Sequence, residues 1–301
     1  MTVSSPTASR DETPSGLLPR AGAGPQHLLV TLFGDFWLHE DAEVPLGAVV
    51  DLMTALGTSA ANTRRAAGRL TDRGTLRSVR AGRRSRLRLT PSAVGELREA
   101  AARLVAFGRP DDTWDGRWTL VAFRVSEERR SVRAQVRTAL RWLGFAAVVD
   151  GVWIAPRTPV AAVEAVLARY ALDAVSVFRV EMLDEPPADA WPSAGASSAY
   201  AALLQQFHPL RDRARAGAVG AAEALVGRVR LMDAWRRIPA LDPGLPDALL
   251  PPDWPRARAH ALFTELYDTL GPLAEYRVRQ VVAQHDADLA PLARHHTSAS
   301  W

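Results

Sequence analysis

The chain is predicted to be α+β, and three patterns predict it. An arginine-rich helix followed by a hairpin occupies residues 57–90. Strand-like and helix-like runs alternate in the order βαββαβ over residues 118–180. Beyond Tyr200 only helical spacing recurs, in Val219, Ala222, Val226, Val229 and Met232 and again in Leu262, Phe263, Leu266, Tyr267 and Leu270. The expected division is therefore 1–26, 27–107, 117–183, 198–290 and a tail at 291–301.

Residues 1–26 are rich in Ser, Thr, Pro, Gly and Ala and are expected to be disordered. Leu28–His39 is apolar nearly all round, which predicts a buried first helix. Its lone acid, Asp35, is expected to pair with a nearby arginine. Pro45 suits the first position of a second helix, whose core stripe is Leu46, Val49, Val50, Met53 and Leu56.

Gly57 breaks that helix, and Thr58 and Ser59 can cap the next, from about Ser59 to Asp72. Steps of three and four place Ala60, Thr63, Ala67 and Leu70 on one face. Asn62, Arg65 and Arg69 lie on the other, with Arg64 at its edge. Gly74 ends the helix. Leu76–Arg80 and Arg86–Thr90 then read as a hairpin turning at Ala81-Gly82-Arg83-Arg84. Ten arginines stand against the single acid Asp72 between residues 57 and 90, a net of about +9 in a chain whose formal total is only +4. A local excess of that size points to a polyanion. A short helix, a turn, a basic helix and a basic hairpin in that order describe a winged helix-turn-helix. The candidate DNA contacts are Thr58, Ser59, Asn62, Thr63, Arg64, Arg65 and Arg69 on the helix, and Arg80, Arg83, Arg84 and Arg86 on the wing. Double-stranded DNA is the expected partner.

Thr90-Pro91 opens a helix reaching about Phe107, and a Pro- and Asp-containing linker follows at 108–116. Trp118–Val125 is a strand. The helix after it carries Val132, Val136, Ala139, Leu140 and Leu143 on one face. Phe145–Ala155 is a hairpin turning at Asp150-Gly151, Thr158-Pro159 starts another helix to Tyr170, and residues 174–180 close the set. This is a ferredoxin-like split unit. Trp118, Trp142 and Trp153 are expected in its core. Glu185–Ser198 is a second linker, and the C-terminal part is helical, interrupted by the Pro-rich stretch Ile238–Pro255. Residues 291–301 are expected to be a flexible tail, and His295-His296 is too little for a metal site.

The absence of cysteine excludes disulfides and thiolate zinc sites and fits a cytoplasmic protein. No apolar run reaches the ~18 residues of a membrane span, and no apolar signal segment precedes residue 27, so neither membrane nor export is expected. GxSxG, HExxH and P-loop motifs are absent, and no enzymatic activity is expected. The first strand of the middle unit runs out as Arg124-Val125-Ser126, without an acid to hold a metal. Glu127 and Glu128 are first-turn acids favoured by the helix dipole. The alternative is a non-regulatory nucleic-acid binder, or a degenerate metal-dependent nuclease built on the ferredoxin-like unit.

LLVTLFGDF (28–36), LGTSAANTRRAAGRLTDRGTL (56–76), GRRSRLRLT (82–90), residues 114–145, DGVWIAPR (150–157) and WRRIPALDPGLPDALLPPDWP (235–255) together resemble the PaaX-type transcriptional repressors of phenylacetic acid degradation. The last stretch is the most specific, being close to the family's DP-LP--LLP-DW signature. The resemblance implies a winged-helix, a ferredoxin-like and a helical domain. It implies a homodimer that represses a catabolic operon and is released by an aryl-acyl-CoA thioester, phenylacetyl-CoA in the namesake. No cofactor is expected. Trp235, Arg236, Arg237 and Trp254 are the candidate effector residues, because guanidinium forks suit phosphates and tryptophan can stack on adenine; the alternative is that Trp254 and the prolines simply lock the helices together. The chain departs from the family at the wing, usually GRRSYYRLT but here with Arg86 and Leu87, and after Gly74, where Thr75 replaces the usual tryptophan.

Overall fold

Pro25, with a fixed φ and no amide hydrogen to lose, opens the first helix in the computed structural model. The structure describes residues 24–81, 84–109, 114–170, 172–182, 191, 194–242 and 244–300. Helix α1 (Pro25–Trp37) thus begins two residues inside the stretch expected to be disordered, while residues 1–23 lie outside those described. A two-residue strand β1 (Val44–Pro45), α2 (Leu46–Ala55), α3 (Ala60–Asp72), β2 (Leu76–Ala81), β3 (Arg84–Leu89) and α4 (Pro91–Ala106) follow. Then come β4 (Arg117–Arg124), α5 (Arg130–Trp142), β5 (Ala146–Val149), β6 (Val152–Ala155), α6 (Val160–Leu167) and β7 (Ala174–Glu181). Helices α7 (Ala194–Arg215), α8 (Ala221–Trp235) and α9 (Arg256–Ala283) complete an α+β chain. No helix among the described residues is long and apolar enough to cross a membrane.

The chain folds into two compact units that are not contiguous in sequence. The first gathers the described residues up to Arg103, Gly217–Asp233 and those from Tyr267 onward. Its core takes Leu29, Leu32, Phe33 and Phe36 from α1, Leu52 and Met53 from α2, and Ala66 and Leu70 from α3. Leu225 and Val229 of α8 and Leu270, Ala274 and Val278 of α9 are also buried in this unit. Asp35 finds the arginine expected for it: Arg228 Nε lies 3.6 Å from Oδ2, and Tyr267 Oη donates to Oδ1 at 2.6 Å. Burial pushes the Asp35 carboxyl up, and the Arg228 charge opposes that shift.

The expected flexible tail is instead tied down. Arg294 N donates to Phe36 O at 2.9 Å. Glu275 Oε2 holds both His295 N (2.9 Å) and Nδ1 (2.6 Å), and Asp268 accepts from Ser298 N (2.6 Å) and Oγ (2.7 Å). Backbone carbonyls and acids supplied by α1 and α9 satisfy donors that a polar tail would otherwise give to water. His296 is buried beside His39, ring centroids 4.4 Å apart. Burial first, and His39 next, push its imidazole from 6.5 down to about 4. Below pH 6.5 the unfolded chain therefore takes up a proton that the folded site refuses, and stability falls as pH drops towards about 4. Urea unfolding at pH 5 and pH 7 is expected to differ by roughly 1–2 kcal/mol more in the parent chain than in His296→Gln. Equal pH dependence in both would contradict this origin.

The second unit holds residues 104–216 and 234–266. Its sheet is fully antiparallel with order β5-β6-β4-β7. Val121, Phe123, Val125 and Trp153 form one core with Val136 and Leu140 of α5 and Val163 and Leu167 of α6. Trp118, Ala146 and Ile154 form another with Trp191 and Leu245. Trp118 and Trp153 are thus core residues as expected, whereas the Trp142 side chain lies outside what is described. Gly151 turns the hairpin at φ +79°, and a Cβ there would stand 2.8 Å from Phe123 O. Glu127 pairs with Arg130 (2.9 Å) and Arg133 (3.3 Å) in the first turn after β4.

Candidate nucleic-acid interface

Gly57, at φ +86°, reverses the chain after α2, which a side chain would resist. Ser59, in extended geometry, then caps α3: its Oγ accepts from Asn62 N at 3.3 Å. The inner face of α3 buries Thr63, Ala66, Ala67 and Leu70, leaving Asn62, Arg64, Arg65 and Arg69 exposed. Two candidate contacts are corrected here. Thr63 is 0% exposed and donates Oγ1 to Ser59 O at 3.1 Å. Thr58 is also buried, so neither hydroxyl faces a ligand. Arg65 Nη2 donates to Asn62 Oδ1 at 2.5 Å, so these two side chains present their remaining donors as one unit.

The hairpin after α3 belongs to a three-stranded antiparallel sheet of order β1-β3-β2. Its third strand was not foreseen: Val44 and Pro45 pair with Leu87 and Arg86. Register decides which arginines share a face, because directly opposed residues point the same way. Arg80 opposes Ser85, and Leu76 opposes Leu89. Arg86 opposes Val79, and Arg88 opposes Arg77, on the opposite face. There Arg86 meets Asp286 at 2.7 Å and Glu43 at 4.0 Å, and Arg88 meets Asp41 at 2.9 Å. Arg86, expected to reach DNA, is instead neutralised within the protein. Arg80 is exposed on the side of Ser85. Arg83 lies outside the described residues, and Arg84 is described only as strand backbone.

Three family profiles match in succession: PaaX-like protein over residues 25–93, PaaX protein central Cas2-like domain over 111–191, and PaaX-like protein C-terminal domain over 191–297. The chain belongs to the PaaX family. It is 28% identical over 258 residues to the Transcriptional repressor PaaX of Escherichia coli (strain K12), covering 82% of this chain and 80% of that protein. In structure it is similar to Uncharacterized protein Rv0674 from Mycobacterium tuberculosis, with a TM-score of 0.53 and 22% identity over 85% of this chain and 96% of that one. At that identity the likeness concerns the fold alone.

The PaaX signature at 235–255 has a structural explanation. Trp235 is 0% exposed, stacks on Phe263 with centroids 4.8 Å apart, and donates Nε1 to Leu104 O at 2.9 Å. It has no free face for a ligand, which corrects its assignment to an effector site. Trp254, half-buried, meets Tyr200 edge-on at 6.1 Å. Asp242 is the hub of the loop, accepting from Tyr200 Oη, Gly244 N and Arg256 Nη2, each at 2.7 Å. Arg236 and Arg237 are half-buried, and burial, then the neighbouring Arg237, pushes the Arg236 guanidinium down to about 10. Nearby, a cavity of about 300 Å³ is lined by Phe107, Arg109, Arg157, Gly244, Asp247 and Arg256 among others.

Proposed function

We propose that the chain is a homodimeric DNA-binding repressor with a winged helix-turn-helix head, a ferredoxin-like middle and a helical C-terminal part. The observation that carries this is the outer face of α3, where Asn62, Arg64, Arg65 and Arg69 stand exposed over a fully buried inner face. A helix so divided enters a major groove, and the hairpin beside it follows the backbone. Asn62 and Arg65 read base edges, while Arg64, Arg69 and Arg80 hold phosphate. The repressor named among its relatives supports the repressor role; control of a catabolic operon of the phenylacetate type, released by an aryl-acyl-CoA thioester, is the extension we propose. Arg236, Arg237 and the arginine-lined cavity beside Gly244 are suited to the phosphates of such a ligand.

Fluorescence anisotropy on operator and random duplexes tests this. With about eight phosphates neutralised per dimer, log K should fall with log salt at a slope near −7. Asn62→Ala and Arg65→Ala should each lose about 1–3 kcal/mol on operator and less on random DNA, whereas Arg80→Ala weakens both alike. A salt slope shallower than about −2, or equal losses for all three variants, would defeat the reading. Adding phenylacetyl-CoA to the same titration should release the operator; an unchanged curve removes the effector from the proposal.

A further inference from the structure

Between α3 and the wing, a cavity of about 400 Å³ opens in the first unit, lined by Pro45, Leu46, Gly47, Val50, Arg64, Ser85 and His285. Six of these residues belong to the winged head. The seventh arrives from beyond the end of α9. Its imidazole sits where the Cβ of any residue but glycine at position 47 would meet it at 2.6 Å, so Gly47 is what admits it. His285 Nε2 lies 2.6 Å from Asp51 Oδ2, and the adjacent Asp286 meets Arg86 at 2.7 Å. Asp51 and Asp286 are thereby each engaged by a basic partner. Arg64 makes no ion pair among the described residues, which leaves its charge for a ligand.

We infer that this cleft seats one phosphate of the DNA backbone, and that His285 is a positioning residue for it. The inference rests on the DNA-binding reading above. Where a chain of phosphates passes from a helix-occupied groove to a wing, it crosses the space between the two elements. Arg64 supplies the guanidinium there and Ser85 a hydroxyl donor. Asp51, exposed enough to repel an approaching phosphate, is held by the Nε2–H of His285, and that hydrogen bond partly offsets its charge. The far C-terminal segment thus completes the DNA-facing surface of a head formed by the first hundred residues.

The test uses the full chain and a fluorescein-labelled random-sequence duplex, because a phosphate seat is indifferent to sequence. His285→Ala should bind it about tenfold more weakly, a loss of about 1.4 kcal/mol, with a salt slope shallower by about 1 for each protomer engaged. Removing the Asp51 charge with Asp51→Asn in the His285→Ala background should recover most of the affinity. Unfolding curves of both variants establish that the fold is kept. Unchanged binding by His285→Ala overturns the inference, as does a loss that Asp51→Asn fails to relieve, since that loss then comes from packing. If the parent chain itself does not bind duplex DNA, the DNA-binding reading falls with it, and that outcome is distinct from either variant result.

Discussion

Arg228→Ala is expected to destabilise the first unit by about 3–5 kcal/mol, the amount typical when one partner of a buried ion pair is removed. The guanidinium is 0% exposed, and both of its Nη atoms donate to buried carbonyls. Nη1 donates to Tyr267 O at 2.5 Å and Nη2 to His296 O at 2.6 Å, while Nε faces Asp35 Oδ2 at 3.6 Å. The plane also lies 3.5 Å over the Tyr267 ring. Without it, Asp35 is a buried carboxyl supported by Tyr267 Oη, and the carbonyls of Tyr267 and His296 lose the guanidinium bonds. Arg228→Met, which keeps most of the volume, should be nearly as harmful as alanine if charge and hydrogen bonds dominate. Equilibrium urea unfolding measures both. A methionine variant within about 1 kcal/mol of the parent would assign the effect to packing instead.

Asp242→Ala should cost the second unit a comparable 3–5 kcal/mol or so, and for the same class of reason. The Asp242 side chain is 0% exposed. Oδ1 accepts from Arg256 Nη2 and Gly244 N, and Oδ2 from Tyr200 Oη and, at 3.3 Å, Arg256 Nε. Burial, and then the Asp242 charge, raises the Tyr200 hydroxyl well above its ordinary value and keeps it protonated as a donor. Alanine removes the nearest counter-charge of Arg256, which keeps Leu245 O at 2.7 Å and a longer approach of 3.4 Å to Asp247. Asp242→Asn keeps one acceptor oxygen, for Gly244 N or for Tyr200 Oη but not for both, and loses the counter-charge, so it should fall between parent and alanine. Thermal unfolding ranks the three, and Trp254, edge-on to Tyr200, reports the loop by fluorescence. Equal stability of Asn and Ala variants would show that the one hydrogen bond asparagine can keep carries nothing.

The elements themselves were legible because their signals are local. Gly57 and Ser59 mark a helix start within three residues, and Asp150-Gly151 marks a hairpin within two. The spacing of Ala67 and Leu70 gave the buried face of α3, and with it the exposed line of Asn62, Arg65 and Arg69. Such patterns need only one turn of helix or one strand pair to act, so neighbouring residues contain them in full. The sequence by itself also determined that a basic surface exists between residues 57 and 90, and the motif at 235–255 pointed to the family.

Which members of that surface are available was decided by tertiary structure alone. Arg86 and Arg80 look alike in sequence, but Arg86 meets Asp286, 200 residues away, and Arg80 does not. Thr63 falls to the inner face of α3 with no room for a ligand, and Trp235 is enclosed by Phe263 and Tyr200 instead of waiting for an adenine. The pairing of β1 with β3, the docking of residues 294–298 and the arrival of His285 beside Gly47 follow the same rule. Charge pairing and burial depend on distance in space, and no local periodicity records which distant residue will stand within hydrogen-bonding reach once the core has closed.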